Sequence, residues 1–378
     1  SLHDALPICI HYRNITNPAP WKEYIQFLWI LAFYVAYSLI RAENVAGAVY
    51  LDALQTIRPF SVIYCTWILN PRFNEKQKKW IIRVMVATLL SWVVYHPSTA
   101  AALTGGRQEE FPVLGQLAIC TGMTYYLFSD ENKYTRRRAL FLVAIGLLAP
   151  KFKFLGECVC FYAILTYLHQ RLDFKSGKTL GGLLLLITVI IAVTWTRFDF
   201  YYVSGMTADD RLARPETYKT AVKILFEPEY FPFGPGMGTL GTNGAWRYYS
   251  PLYYKYDLNT IWGLDEGGGF ICDAYYPTLA QFGWVGVILF YIFWKRRLKV
   301  FNQIRDLKYY RIFLMAFFCL AIEQTSDSSF LSGKGMGYCM LIGLCLNANR
   351  NMTQRKESEE ERKPSITNKQ REHIKPFV

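Results

Sequence analysis

The chain is predicted to be an all-helical, polytopic integral membrane protein of about ten spans with one large extracytoplasmic loop. Three features predict it. Mainly apolar runs approaching the ~20 residues of a bilayer crossing recur along most of the 378 residues. Basic clusters fall in alternate connections between those runs. One long polar stretch, residues 197–272, breaks the pattern with a segment rich in Gly, Tyr, Asp and Arg.

The stronger runs cover 24–40, 80–95, 111–128, 180–196, 274–294, 312–322 and 335–346. Weaker runs cover 47–69, 139–150 and 154–168. The pair 139–150 and 154–168 is short for two full crossings. It stands open as a re-entrant pair broken at Pro150, which leaves the downstream orientation unchanged. Residues 9–348 read as a single membrane domain with no detachable soluble part. Residues 1–8 resemble translated sequencing-adapter sequence and are set aside, with at least one native span expected ahead of the first run. Residues 349–378 are polar and of mixed charge, and are expected to form a disordered cytoplasmic tail.

The basic clusters at 72–79, 136–138, 171–178 and 295–299 and in the tail fall on one side, assigned to the cytoplasm. Residues 97–110, 151–153 and 197–272 then lie outside. The formal net charge of +13 is therefore mainly a topological signal. No basic patch forms a soluble face, so a nucleic-acid partner is not expected. Most cysteines sit inside apolar runs, where Cys behaves as a small apolar residue. No spacing suggests a disulfide framework or a metal site.

Five places could carry chemistry. Lys151 and Lys153 flank Phe152 between two apolar runs on the outer side. They read either as lysines snorkelling to the interface or as a cationic corner suited to a phosphate. Arg211 and Arg214, in Asp209-Asp210-Arg211-Leu212-Ala213-Arg214-Pro215-Glu216, open an amphipathic helix with Tyr218, Ala221, Val222 and Leu225 at helical spacing. Three apart, the arginines are expected on one face. They form either a surface salt-bridge cluster or a bidentate pair for a pyrophosphate.

The run Pro232-Phe-Gly234-Pro-Gly236-Met-Gly238-Thr239 demands unusual backbone angles or close approach. It is neither a Walker loop nor a dinucleotide fingerprint. Tyr248, Tyr249, Tyr253 and Tyr254 crowd one short stretch. Such rings suit the stacking of sugars, or equally an aromatic belt at a membrane interface. Asp273 stands at the mouth of the 274–294 run as a helix cap or a general base, with Asp210 second for the base; Glu323 and Asp327 are weaker candidates.

Taken in order, the glycine run, Tyr248-Tyr249-Ser250-Pro251 and Asp273-Ala-Tyr-Tyr-Pro-Thr-Leu-Ala-Gln-Phe-Gly-Trp-Val-Gly286 resemble the O-antigen polymerase and O-antigen ligase superfamily. The polymerase branch of bacterial surface-polysaccharide clusters is the nearer. Lys151-Phe-Lys153-Phe-Leu-Gly156 resembles the family's basic element before the long loop. The likeness covers about residues 41–346.

The resemblance implies a membrane glycosyltransferase of the bacterial inner membrane with its active-site loop on the periplasmic side. It implies a polyprenyl-pyrophosphate-linked oligosaccharide as donor, membrane lipids, a chain-length regulator and a flippase as partners, and no cofactor or metal. Arg214 then matches the loop arginine and Lys153 the upstream basic residue. Asp273 falls at or next to a position where ligases have His, which favours the polymerase branch. In that reading Lys151, Lys153, Arg211 and Arg214 hold the pyrophosphate. Asp273 or Asp210 takes the hydroxyl proton, and Gly236, Gly238 and the tyrosines meet the glycan. An O-antigen ligase acting on lipid A core or protein, and a lipid-linked oligosaccharide flippase, are the alternatives. Internal repeats typical of a transporter are not visible in the sequence.

Overall fold

The computed structural model describes residues 18–95, 113–148, 151–173, 176–207, 211–267 and 274–348. Every regular element among them is helical. Each apolar run of the sequence forms one. α1 is Pro18–Arg41, α2 Ala46–Leu69, α3 Glu75–Tyr95 and α4 Leu114–Phe128. α5 is Lys133–Ala144, α6 Phe152–Tyr167 and α7 Gly177–Val193. α8 is Ala213–Phe226, α9 Gly283–Phe301, α10 Leu307–Ser326 and α11 Gly333–Leu346.

Local chemistry sets several starts. Asn74 and Gln77 exchange hydrogen bonds of 2.8 and 2.9 Å, side chain to backbone in both directions, ahead of α3. This reciprocal pairing satisfies two donors the helix cannot. Asn132 caps α5 by accepting from Thr135 N at 2.8 Å. Asp306 caps α10 by accepting from Lys308 N at 2.8 Å.

The main core gathers apolar side chains of α2, α4, α6, α10 and α11, among them Ile63, Met123, Phe161, Phe313 and Ile342. α4 is buried nearly all round, whereas α7 buries none of its residues. Leu184 and Leu185 of α7 are 66% and 65% exposed, and Trp29 of α1 is 73% exposed. Large apolar faces left open in this way mark contact with another apolar phase or partner.

Two stretches, Pro20–Arg41 and Tyr276–Phe301, are long and apolar enough to cross a membrane. Gly177–Val193 with Trp195–Val203 passes as a pair bent by 79°. That is two or three among the described residues, against about ten expected. The other runs are helical but shorter or broken by charge. α6, with 16 residues, reaches roughly 24 Å. α10 carries Lys308, Arg311 and Glu323.

The polar loop is folded. Ile224, Tyr230, Leu240, Leu252, Tyr253 and Leu258 form the centre of a second core. α8 lies over the 3-10 turn Tyr276–Phe282 that leads into α9, and Trp284 Nε1 donates to Leu225 O at 2.8 Å.

Candidate functional site

The C-terminal end of α10 is where the separated sequence candidates meet. Lys153, one residue into α6, places Nζ 2.7 Å from a Glu323 carboxylate oxygen and 2.9 Å from one of Asp327. Lys334 of α11 reaches the same Asp327 oxygen at 3.0 Å. Gln116 of α4 donates to Glu323 at 2.6 Å, and the Ser329 hydroxyl donates at 2.8 Å. The Glu323 side chain is 1% exposed, so water cannot replace these partners. A buried pair of this kind stands only while its hydrogen bonds are complete.

Burial alone would raise the carboxyl pKa of Asp327, just beyond the helix. The ammonium groups of Lys153 and Lys334 outweigh it and hold that pKa below the usual value. Lys151 sits half-buried ahead of α6 and makes no ion pair among the described residues. Burial, then the charges of Lys153 and Lys334, push its pKa down.

The loop docks on the same post. Tyr202 and Tyr218 both donate to Thr325 O, at 2.6 and 3.0 Å. Tyr218 belongs to α8, so this bond ties the arginine helix to α10. From the other side, Tyr275 N donates to Gln324 O at 2.9 Å, and the Tyr276 hydroxyl donates to Ala321 O at 3.2 Å. Tyr275 and Tyr276 are thus fixed to α10 as well. Asp273 and Asp210 themselves lie outside the described residues.

The two arginines are not alike. α8 begins at Ala213 after an extended Leu212, so Arg211 precedes the helix and does not share a helical face with Arg214. This corrects the expected pairing. Leu212 and Pro215 supply the reason, since Pro is tolerated only in a helix's first turn. The buried face of α8 is Thr217, Thr220, Ala221 and Ile224, one position off the expected stripe, and Val222 is 55% exposed.

Arg211 is bound within the loop. It pairs with Glu216 at 3.2 Å and donates to Asp257 O and Thr260 Oγ1 at 3.2 and 3.3 Å. Arg214 is half-buried, with its guanidinium 3.8 Å from the centre of the Tyr201 ring.

The glycine run has a different role from the one expected. Gly236 and Gly238 are buried, with φ of 106° and 75°. A Cβ on Gly236 would meet Ser38 Oγ at 2.9 Å, and one on Gly238 would meet the Ala48 backbone at 2.8 Å. Asp52 of α2, 1% exposed, accepts from Gly238 N at 2.8 Å and from Gly244 N at 3.2 Å. Ser38 accepts from Met237 N at 2.8 Å, and the Gln281 side chain accepts from Gly238 N at 3.1 Å. The turn is therefore a latch that closes the loop onto α1 and α2. Glycan contact at Gly236 and Gly238 is corrected to helix contact.

The tyrosines divide as well. Tyr253 is buried, and its hydroxyl accepts from Gly241 N at 3.2 Å, so it belongs to the loop core rather than to a sugar surface. Tyr249 is half-buried and donates to Leu264 O at 2.9 Å; burial and its neighbour Tyr254 push its pKa up to about 12. Tyr248 and Tyr254 keep open ring surface, at 44% and 53% exposure.

The sequence reading missed Asp52 and Gln281. A signal for Asp52 existed: a lone carboxylate inside an apolar run is costly unless paired. Gln281 has no such signature. Comparison with protein-family models, with curated proteins and with solved structures returned no match.

Proposed function

We propose that this chain is a multi-pass protein of the bacterial inner membrane and a metal-independent glycosyltransferase: a polymerase of O-antigen, capsule or exopolysaccharide. The donor is a polyprenyl-pyrophosphate-linked glycan, and the acceptor is a lipid-linked repeat unit. The loop faces the periplasm in this reading. A flippase supplies the substrate, and a chain-length regulator acts on the product.

The observation that carries the reading is the convergence at α10. The Lys151–Lys153 corner, the helix bearing Arg214 and the backbone following Asp273 all attach within residues 321–327. Cations held at one helix end suit a reaction whose leaving group is a pyrophosphate. The acceptor hydroxyl attacks the anomeric carbon, and its proton passes to Asp273. The bond from that carbon to the pyrophosphate oxygen breaks, and polyprenyl pyrophosphate departs. Lys153, already paired, positions the corner. Arg214 and Lys151 face the developing charge, and preorganised donors of this kind are each worth roughly 3–4 kcal/mol. Tyr248 and Tyr254 offer the glycan platform.

The test uses purified protein in detergent with lipid-linked repeat units. Elongation is expected, and Arg214→Ala is expected to lower it by roughly 10²–10³-fold while the protein still inserts. Arg214→Lys recovers little, because a lysine cannot reproduce bidentate contact. Wild-type chain lengths from Arg214→Ala would overturn the assignment. The O-antigen ligase shares the donor, so lipid A core is added as a competing acceptor, and transfer to it alone would move the reading to ligation.

A further inference from the structure

We propose that the gap between α9 and α10 binds an anionic phospholipid, with its phosphate at the C-terminal end of α9. The inference rests on the membrane placement proposed above and is independent of the reaction. α9 and α10 are consecutive, yet their backbones stay apart and long side chains bridge them, as where Trp294 meets Phe317 at 5.2 Å between ring centres. The space left is a cavity of about 930 Å³. Its walls are apolar, from Phe290, Trp294 and Leu298 on one side and Phe317, Leu320 and Ala321 on the other.

One end of this cavity is basic. The run Lys295-Arg296-Arg297-Leu298-Lys299 divides in two. Arg297 is fully buried, pairs with Glu23 and lies 4.7 to 5.1 Å from the rings of Trp67, Phe293 and Tyr64. Lys295, Arg296 and Lys299 instead rim the cavity and are exposed. None of the three forms an ion pair with a described carboxylate, and Lys295 only overlies the Tyr291 ring at 5.7 Å. Three cations with no ion-pair partner among the described residues, closing an apolar slot, match a phosphate head carrying hydrocarbon chains. A zwitterionic head brings its own cation into that cluster and is disfavoured. Tyr291 and Asn302, also on the cavity wall, supply hydrogen-bonding groups at the same end.

The full chain is purified from membranes in mild detergent. Phosphatidylglycerol and phosphatidylcholine of identical acyl chains are titrated by native mass spectrometry. Phosphatidylglycerol is expected to bind roughly a hundredfold more tightly, the product of about fivefold for each of three cations. Lys295→Gln, Arg296→Gln and Lys299→Gln together should weaken it by about fivefold per cation and leave phosphatidylcholine unchanged. Ala321→Trp fills the slot without touching charge and should weaken both lipids. Equal affinity for the two lipids, or a triple variant that holds phosphatidylglycerol as the parent does, overturns the site. Release of the chain from membranes by alkaline carbonate would instead overturn the membrane placement, before any lipid is measured.

Discussion

Two charged clusters of this protein use the same chemistry in opposite settings. At the end of α10, Lys153, Glu323, Asp327 and Lys334 join α6, α10 and α11, with Glu323 at 1% exposure. In the loop, Arg211, Glu216 and Lys219 pair at 3.2 and 2.7 Å, with the two cations 40% and 42% exposed. Distances barely differ. Solvent decides what each cluster is worth, because a buried charge that loses its partner has no water to turn to, whereas an exposed one does. Losing a partner therefore costs the first cluster more than the second, which is a local brace on the start of α8.

The sharpest way to break this contrast is Glu323→Gln. It leaves Lys153 with one carboxylate instead of two and leaves a single acceptor oxygen where Gln116 now uses one and Lys153 and Ser329 share the other. Lys153 keeps Asp327, so the cost is that of the hydrogen bonds lost, about 1–3 kcal/mol, read as a lowered unfolding midpoint in detergent. Replacing Lys153→Met and Glu323→Met together should recover part of that loss; a double variant worse than the sum of its singles would sink the burial argument.

A smaller effect follows from acid. The Asp327 pKa is lowered in the folded protein, so its contribution is fully present above the usual carboxylate range. It fades as the pH falls through the folded value, because the unfolded chain takes up the proton first. Unfolding midpoints measured across acidic pH should therefore fall less steeply for Asp327→Asn than for the parent. Parallel curves would remove Asp327 from the lock.

Arg211→Ala should do least, at about 0–1 kcal/mol, and salt should erase much of the difference. A larger, salt-independent loss would mean that the bonds from Arg211 to Asp257 O and Thr260 organise the loop more than its ion pair does.

Lys153 shows how far a sequence can be read. An ionisable residue between apolar runs announces a need for partners. Which partners they are is invisible, because Glu323 and Asp327 lie 170 and 174 positions away. The glycine run shows the complementary limit. Its need for positive φ was legible, but the same need serves a sugar-binding loop or a latch on Asp52. Arg211 and Arg214 fail for a local reason, since spacing implies a shared face only where the helix has already begun.

The sequence by itself determined the helical segments, the 197–272 stretch as a polar place apart, and the types of charged residue within it. Periodicity and apolar run length are local properties, and they survive without knowledge of neighbours. Only the tertiary structure decided that α10 is the common post, that Gly236 and Gly238 face helices, and that Lys153 is paired while Lys151 meets no ion-pair partner among the described residues. Those outcomes depend on which distant chemical groups share a space from which water is excluded, and no window along the chain contains that information.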